Sequence, residues 1–404
     1  MNPLPLVLAM LARNRMTSLL FVALIALAVA LGIAISAQER ALRQGSARAA
    51  DRFDLVVAAP GSLTDVLFSV VYLRPSAVEL LSPAVFSRLL AEPKAEIVAP
   101  IGFGDNLDGA PVVGTTALFA LHLSGGNLAE GRVFERLDEA VVGALSPHPI
   151  GAELQVSHGH GAASPEDEAG GLHGQKLRVV GRMQPTGTPW DGAVVTPIEF
   201  NWYVHGLGTG HADGDPHIGP PFEAGKLPGV PAVIVKPQTV PAAYGLRNAY
   251  RTADSTAFFP AEVLVELYAL MGDVRRIMGA LTLATQVLVI AAILAGILAL
   301  LDLQRQRFAV LRALGASRLF IFLTVWSYVT LLIAAGALGG LLLGWGVAGV
   351  ISHLLAQASG VAMQATIGGT EFRLVGALLV VGALLAAVPA TLIYRRPVID
   401  ALRQ

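Results

Sequence analysis

Residues 302–318 read DLQRQRFAVLRALGASR, a short polar stretch lying between two apolar runs that are each long enough to cross a bilayer. It carries four arginines, Arg305, Arg307, Arg312 and Arg318, against a single acid, Asp302. The side of a membrane it occupies decides how the rest of the chain is arranged. The whole chain of 404 residues is 54% apolar and only 14% charged, with a mean hydropathy of +0.62. Those values exceed what an ordinary soluble protein shows and define a membrane protein. A net charge of -1 excludes the basic footprint that phosphate binding needs, so no nucleic-acid partner is expected. With no cysteine, disulfides, thiolate catalysis and Cys-type zinc sites are excluded together, leaving His, Asp and Glu as the available metal ligands.

Working outward, four apolar runs meet the ~20 residues that roughly 30 Å of hydrocarbon requires: 16–37, 277–301, 319–351 and 372–394. A cleaved signal is a second reading of the first run, which ends in Ser36-Ala37, but the run exceeds the ~7–15 residues of a signal core and reads as a span. Residues 1–15 form a cytoplasmic N-terminal segment, in which 3–11 suits a helix lying along the interface. The third run carries Gly336, Gly340 and Gly344, small-xxx-small spacings that let helix backbones approach closely. Packing within one subunit and a seam between two copies both fit that pattern. An external link (352–371) and a tail (395–404) complete this part.

Between the first two spans, residues 38–272 gather most of the Gly, Pro, His and acidic residues, and no apolar run there is long enough to span. This reads as a water-soluble α+β domain on helical stalks, long enough for two subdomains. Strands are predicted at 53–59, 95–99, 177–183 and 230–236 from short β-branched runs, and a helix at 77–91 from apolar spacing. Trp190 and Trp202 read as core aromatics rather than a ligand cage. Pro260 opens a helix whose apolar pattern runs without a breaker into the second span, so that stalk and span form one rod.

Arginine and lysine accumulate on the cytoplasmic side. The N-terminal segment, residues 302–318 and the tail together hold nine arginines against two acids, Asp302 and Asp400. With four spans all three segments are cytoplasmic at once, which puts residues 38–272 outside. Within 302–318, Phe308, Leu311 and Leu314 share one helical face, Arg305 and Arg312 flank it, and Gly315 can end the helix with φ > 0. Such a helix suits a groove on a soluble partner.

RQRFAVLRALGASR (305–318) resembles the cytoplasmic element after the second span in MacB/FtsX/LolC-type ABC permeases, the type VII or mechanotransmission class. PVIDALR (397–403) is similar to an ending common in that superfamily, and the order of one span, a large external domain and three further spans matches as well. The sequence departs at Arg307, where relatives usually carry a glutamate. The resemblance implies a bacterial inner-membrane permease, working as a homodimer or with a paralogous permease and with separate ABC ATP-binding subunits that hold ATP and Mg²⁺. It also implies a coupling helix that uses Arg305, Arg307, Phe308, Leu311, Arg312, Leu314 and Gly315, and a periplasmic adaptor or substrate-binding protein is a further partner. The cargo classes are lipid, lipoprotein, peptide or small molecule.

Eight of the nine histidines fall in the inserted domain. His158, His160, Glu166, Asp167, Glu168 and His173 form one Gly-rich cluster, and His211, Asp213, Asp215 and His217 form a second. These are first-row metal ligands at flexible spacing, suited to Zn²⁺ or Cu²⁺. The alternative is a pair of solvated loops that bind nothing specifically. A metal-linked envelope system is therefore a second functional reading, and a non-transport signalling protein a third. The nearest approach to a phosphate loop, GPPFEAGKL (219–227), has five residues between its glycines where four are needed and Leu227 where a hydroxyl must reach Mg²⁺. ATP hydrolysis is expected on a partner subunit and not on this chain. No catalytic motif and no carboxylate chain within the spans stands out.

Overall fold

The computed structural model describes residues 2–74, 76–107, 109–158, 172–270 and 314–395, with isolated helical positions at 272–294 and at 310–311. It describes the side chains of these residues other than 156–175, 370 and 388–395. Two compact units result: 1–43, 271–354 and 363–404 form one, and 44–270 with 355–362 form the other.

The first unit is helical. Its short helix Leu4–Arg13 precedes two helices long and apolar enough to cross a membrane, Arg15–Ala50 and Arg318–Ser359. At 1.5 Å per residue, 36 residues reach about 54 Å, so Arg15–Ala50 outruns the hydrocarbon and includes much of the expected stalk. A third long helix, Gly369–Arg395, coincides with the last expected span. The span expected at 277–301 lies largely outside the described residues.

Phe21, Ile25, Val29 and Ile33, four apart on the first long helix, bury one stripe against Val325, Tyr328, Val329, Leu332 and Ala337 of the second. Val7 and Met10 of the short helix join the same cluster. Two polar contacts pin the packing: Ser18 Oγ lies 2.8 Å from Tyr328 Oη, and Trp326 Nε1 donates to the Ala383 carbonyl at 2.9 Å. Within hydrocarbon such bonds give orientation where apolar contact alone gives none.

The second unit is built on one sheet. Its strands are β1 (Leu55–Ala58), β2 (Ala95–Leu107), β3 (Ala110–Thr115), β4 (Glu130–Gly131), β5 (Glu139–Val142), β6 (Glu153–His158), β7 (Leu172–Arg182), β8 (Val194–Pro197), β9 (Ala232–Pro237) and β10 (Thr256–Phe258). They run in the order β10-β1-β9-β2-β3-β8-β5-β7-β4, with β6 against β2 and β7. Pairing is antiparallel except for β3 with β8 and β5 with β7.

Strand β2 joins the two halves, its first part pairing with β9 and its second with β3. The register shifts at Gly104, whose φ of +139° suits glycine, and this bulge bends the strand from one half to the other. One apolar cluster packs Leu55, Val57, Val233 and Val235 against Phe86, Leu89 and Trp202, and a second gathers Val112, Val142, Leu177, Val179 and Val194. The region thus holds one continuous sheet with two cores.

All four strand expectations fall on observed strands, β1, β2, β7 and β9. The expected helix at 77–91 is shorter, Pro83–Leu90. Leu81 instead pairs with Val230 across an isolated bridge, and Ser82 caps the helix with Pro83 in its first turn. A local pairing and a cap override the apolar spacing that ran through them.

Trp190 is wholly buried, with ring centroids 5.9 Å from Phe53 and 6.0 Å from Phe119, and its Nε1 donates to the Val70 carbonyl. Beside it, Asp191 accepts from the Thr186 amide and hydroxyl, each at 2.7 Å, and from the Gly187 amide at 2.8 Å. Residues 355–362, the last turn of the long helix Arg318–Ser359 and the three residues after it, belong to this same unit. There Val361 is buried and the Ala362 amide donates to the Gly187 carbonyl at 3.0 Å.

Candidate functional site

Three places collect the residues the sequence singles out. At the first, the polar stretch 302–318, Arg305, Arg307, Phe308 and Arg312 lie outside the described residues, whereas Leu311, Leu314 and Gly315 are described. Gly315 adopts φ +95°. The Leu314 amide donates to the Val310 carbonyl and the Ala316 amide reaches back to the Leu311 carbonyl, each at 3.0 Å. That pattern is a glycine-terminated helix stop.

The two described leucines of the expected ridge do not share an environment. Leu311 is half-buried against the membrane cluster, while Leu314 is 80% exposed and Val310, one turn before it, is 50% exposed. The outward apolar edge is therefore Val310 with Leu314, a pairing at i, i+4 that helical spacing permits but does not select.

At the second place, Gly336, Gly340 and Gly344 meet the first long helix of the same chain. A Cβ on Gly336 would lie 2.6 Å from Ile25 Cβ, on Gly340 2.6 Å from the Ala26 carbonyl oxygen, and on Gly344 2.7 Å from the Ala30 carbonyl oxygen. Only hydrogen fits at those three positions.

A polar lock that the sequence did not reveal joins the same helical unit. The Glu371 side chain is fully buried and takes two bonds from Arg40 Nη2, at 2.6 and 2.8 Å, one from Ser36 Oγ at 2.7 Å and one from the Gly368 amide at 2.8 Å. Arg40 Nη1 also donates to the Thr366 carbonyl at 2.9 Å. Residues more than 300 positions apart make this contact, so no local pattern announces it.

The third place is the histidine clusters. His160, Glu166, Asp167 and Glu168 lie outside the described residues, and the backbone puts His158 on β6 and His173 on the adjoining β7. In the second cluster His211 is buried, its Nε2 3.4 Å from Glu199 Oε1, and its ring meets that of His217 edge-on at 5.3 Å. His217 turns Nε2 toward the Pro220 carbonyl, and Asp215 Oδ1 accepts from the His217 amide. Asp213 is exposed. Among the described residues no group of three or more His, Asp or Glu side chains is placed to hold a metal ion.

Glu199 itself is 2% exposed, and burial raises its carboxyl pKa against the opposing pull of the Gly219 amide and His211. Elsewhere in the sheet domain, the Arg132 guanidinium bonds both oxygens of Glu139 and holds that carboxyl down at about 2. Burial raises the carboxyl pKa of Asp54 and lowers the imidazole pKa of its neighbour His122, each opposed by the charge of the other.

Long apolar helices flank a mixed α+β domain in the chain. Residues 278–398 match the family model described as FtsX-like permease C-terminal. That segment is similar to the FtsX-like permeases of ABC transporters, a class whose permease subunits are not themselves ATPases. No curated protein matches the chain. Among solved structures, the periplasmic region of MacB from Actinobacillus actinomycetemcomitans is similar at 10% identity, covering 54% of this chain and 95% of that one with a TM-score of 0.32. A likeness that loose carries no argument here.

Proposed function

We propose that the chain is the membrane subunit of an ATP-driven ABC complex in the bacterial inner membrane, with four spans and its sheet domain on the outer face. Two such subunits, identical or paralogous, would work with two cytoplasmic ATPases. Closure of the ATPases pushes on the edge formed by Val310 and Leu314, the second span moves, and the rod begun at Pro260 carries the motion to the domain outside. No channel through the membrane is required, and the cargo is an envelope substrate of the lipid, lipoprotein, peptide or small-molecule class. An energetic push needs an element with two arrangements that the ATPase contacts differently.

The observation that carries this reading is the exposed apolar edge ending at Gly315, inside the segment that matches the permease family. Two exposed apolar side chains one turn apart, beside arginines on a segment between spans, suit a groove on a soluble partner. Because the chain contains no cysteine, single substitutions report on one site at a time. Leu314→Cys should cross-link to the ATPase subunit in membranes. Asp254→Cys, on the sheet domain, should react with an impermeant thiol reagent added from outside. Labelling of Asp254→Cys only after the cells are opened would reverse the topology and end the proposal.

A further inference from the structure

A cavity of about 590 Å³ opens in the sheet domain beside Glu199. That is the size of a small organic molecule's site and far larger than an ion needs. Its charged lining has one predominant sign: Glu135, Glu199 and Asp215 contribute, with His217, and among the described residues no lysine or arginine does. Val133, Phe134 and Ile218 supply an apolar wall.

One group on the polar side is unsatisfied. The Glu199 carboxylate is already engaged: Oε1 accepts from the Gly219 amide at 2.5 Å and lies 3.4 Å from His211 Nε2. Thr115, wholly buried and also on the cavity lining, carries a hydroxyl oxygen with no hydrogen-bond partner among the described residues. A buried hydroxyl is costly when unpaired, and native interiors leave few such groups without a reason. On an acidic cavity, that hydroxyl marks a place for a donor that the chain does not itself provide.

We infer that this cavity binds a small organic ammonium compound, its cationic head against Glu199 and Thr115 and its apolar body against Val133, Phe134 and Ile218. An ammonium group donates three hydrogen bonds and neutralises the buried carboxylate, which a neutral or anionic compound cannot do. A metal ion fits less well, because no three ligands converge and the apolar wall would stay uncovered. The inference stands whether or not the chain couples to an ATPase.

The test uses the full chain in lipid nanodiscs and equilibrium dialysis against phenethylammonium, with 2-phenylethanol and 3-phenylpropionate as neutral and anionic counterparts and ZnCl₂ as a separate arm. Phenethylammonium should bind about tenfold or more tighter than either counterpart, as one charge-assisted hydrogen bond predicts. Glu199→Gln should erase that preference. Glu135→Gln, on an exposed residue whose loss leaves the fold alone, should weaken binding roughly threefold, and Thr115→Val should do the same without changing charge. Should Glu199→Gln fail to fold, the Glu135 and Thr115 variants decide the matter. Equal retention of the three organic compounds, no effect of these substitutions, or binding of Zn²⁺ in place of the ammonium each overturns the inference.

Discussion

The helical unit and the sheet domain are held together by opposite means. In the helical unit the apolar residues that face neighbours are chemically no different from those that face outward, so close contact is set by what is missing: the side chains of Gly336, Gly340 and Gly344. A few polar locks, Ser18 with Tyr328 and Arg40 with Glu371, then fix which helix meets which. The sheet domain instead buries whole strands, β1, β5 and β8 with every residue inside, and satisfies its buried acids locally, as Asp191 does with Thr186 and Gly187. Apolar burial has its full value only where water is the alternative, and this contrast follows from that difference in solvent.

The sharpest way to break the first arrangement is Arg40→Ala. It leaves the Glu371 carboxylate buried without its cation, and loss of one partner from a buried pair costs about 3–5 kcal/mol. Thermal unfolding of the full chain should show the largest loss of the set, and restoring a cation with Arg40→Lys should recover part of it.

Gly340→Leu comes next. Its Cβ meets backbone of the first long helix at 2.6 Å, which cannot give way as a flexible side chain can. Overpacking of this kind costs about 1–3 kcal/mol, and size-exclusion profiles should broaden. The same change at Gly346, where a Cβ meets nothing, should leave the profile unchanged if the seam lies only within the chain.

In the sheet domain, Asp191→Ala removes the acceptor of three hydrogen bonds and should cost about 1–3 kcal/mol for the donors left buried. Acid should act there as well. Glu139 has a folded pKa of about 2 against an ordinary 4.5, because Arg132 bonds its charged form. A depressed carboxyl pKa stabilises the fold above the unfolded value, and that stability is lost as pH falls from about 4.5 through about 2. Glu139→Gln should flatten this part of the stability profile.

Much of the helical unit was legible because a bilayer imposes length and apolarity on each span, and the arginine count at 302–318 and in the termini set the orientation that the family reading uses. Strands β1, β2, β7 and β9 were legible from β-branched runs. Strands β3 and β5 were missed because they are short and Gly-bounded, and because their parallel pairing, β3 with β8 and β5 with β7, depends on partners far along the chain. The glycine spacing showed that some helix would approach closely but could not say which one. The lock between Arg40 and Glu371, and the cavity of Thr115 and Glu199, join residues with no sequence relation at all. At 302–318 the period gave a ridge of Phe308, Leu311 and Leu314, yet packing turns Leu311 inward and leaves Val310 beside Leu314 on the outside.

Leu314→Asp changes a side chain that is 80% exposed and should leave the melting temperature of the isolated permease unchanged. Co-purification of the ATPase subunit and the ATP turnover of the assembled complex, measured side by side for wild type and Leu314→Asp, address the coupling proposal itself. Docking through Leu314 predicts loss of the ATPase from the complex, or at least a tenfold drop in coupled turnover, with the permease still folded. Wild-type assembly and turnover in Leu314→Asp would contradict it.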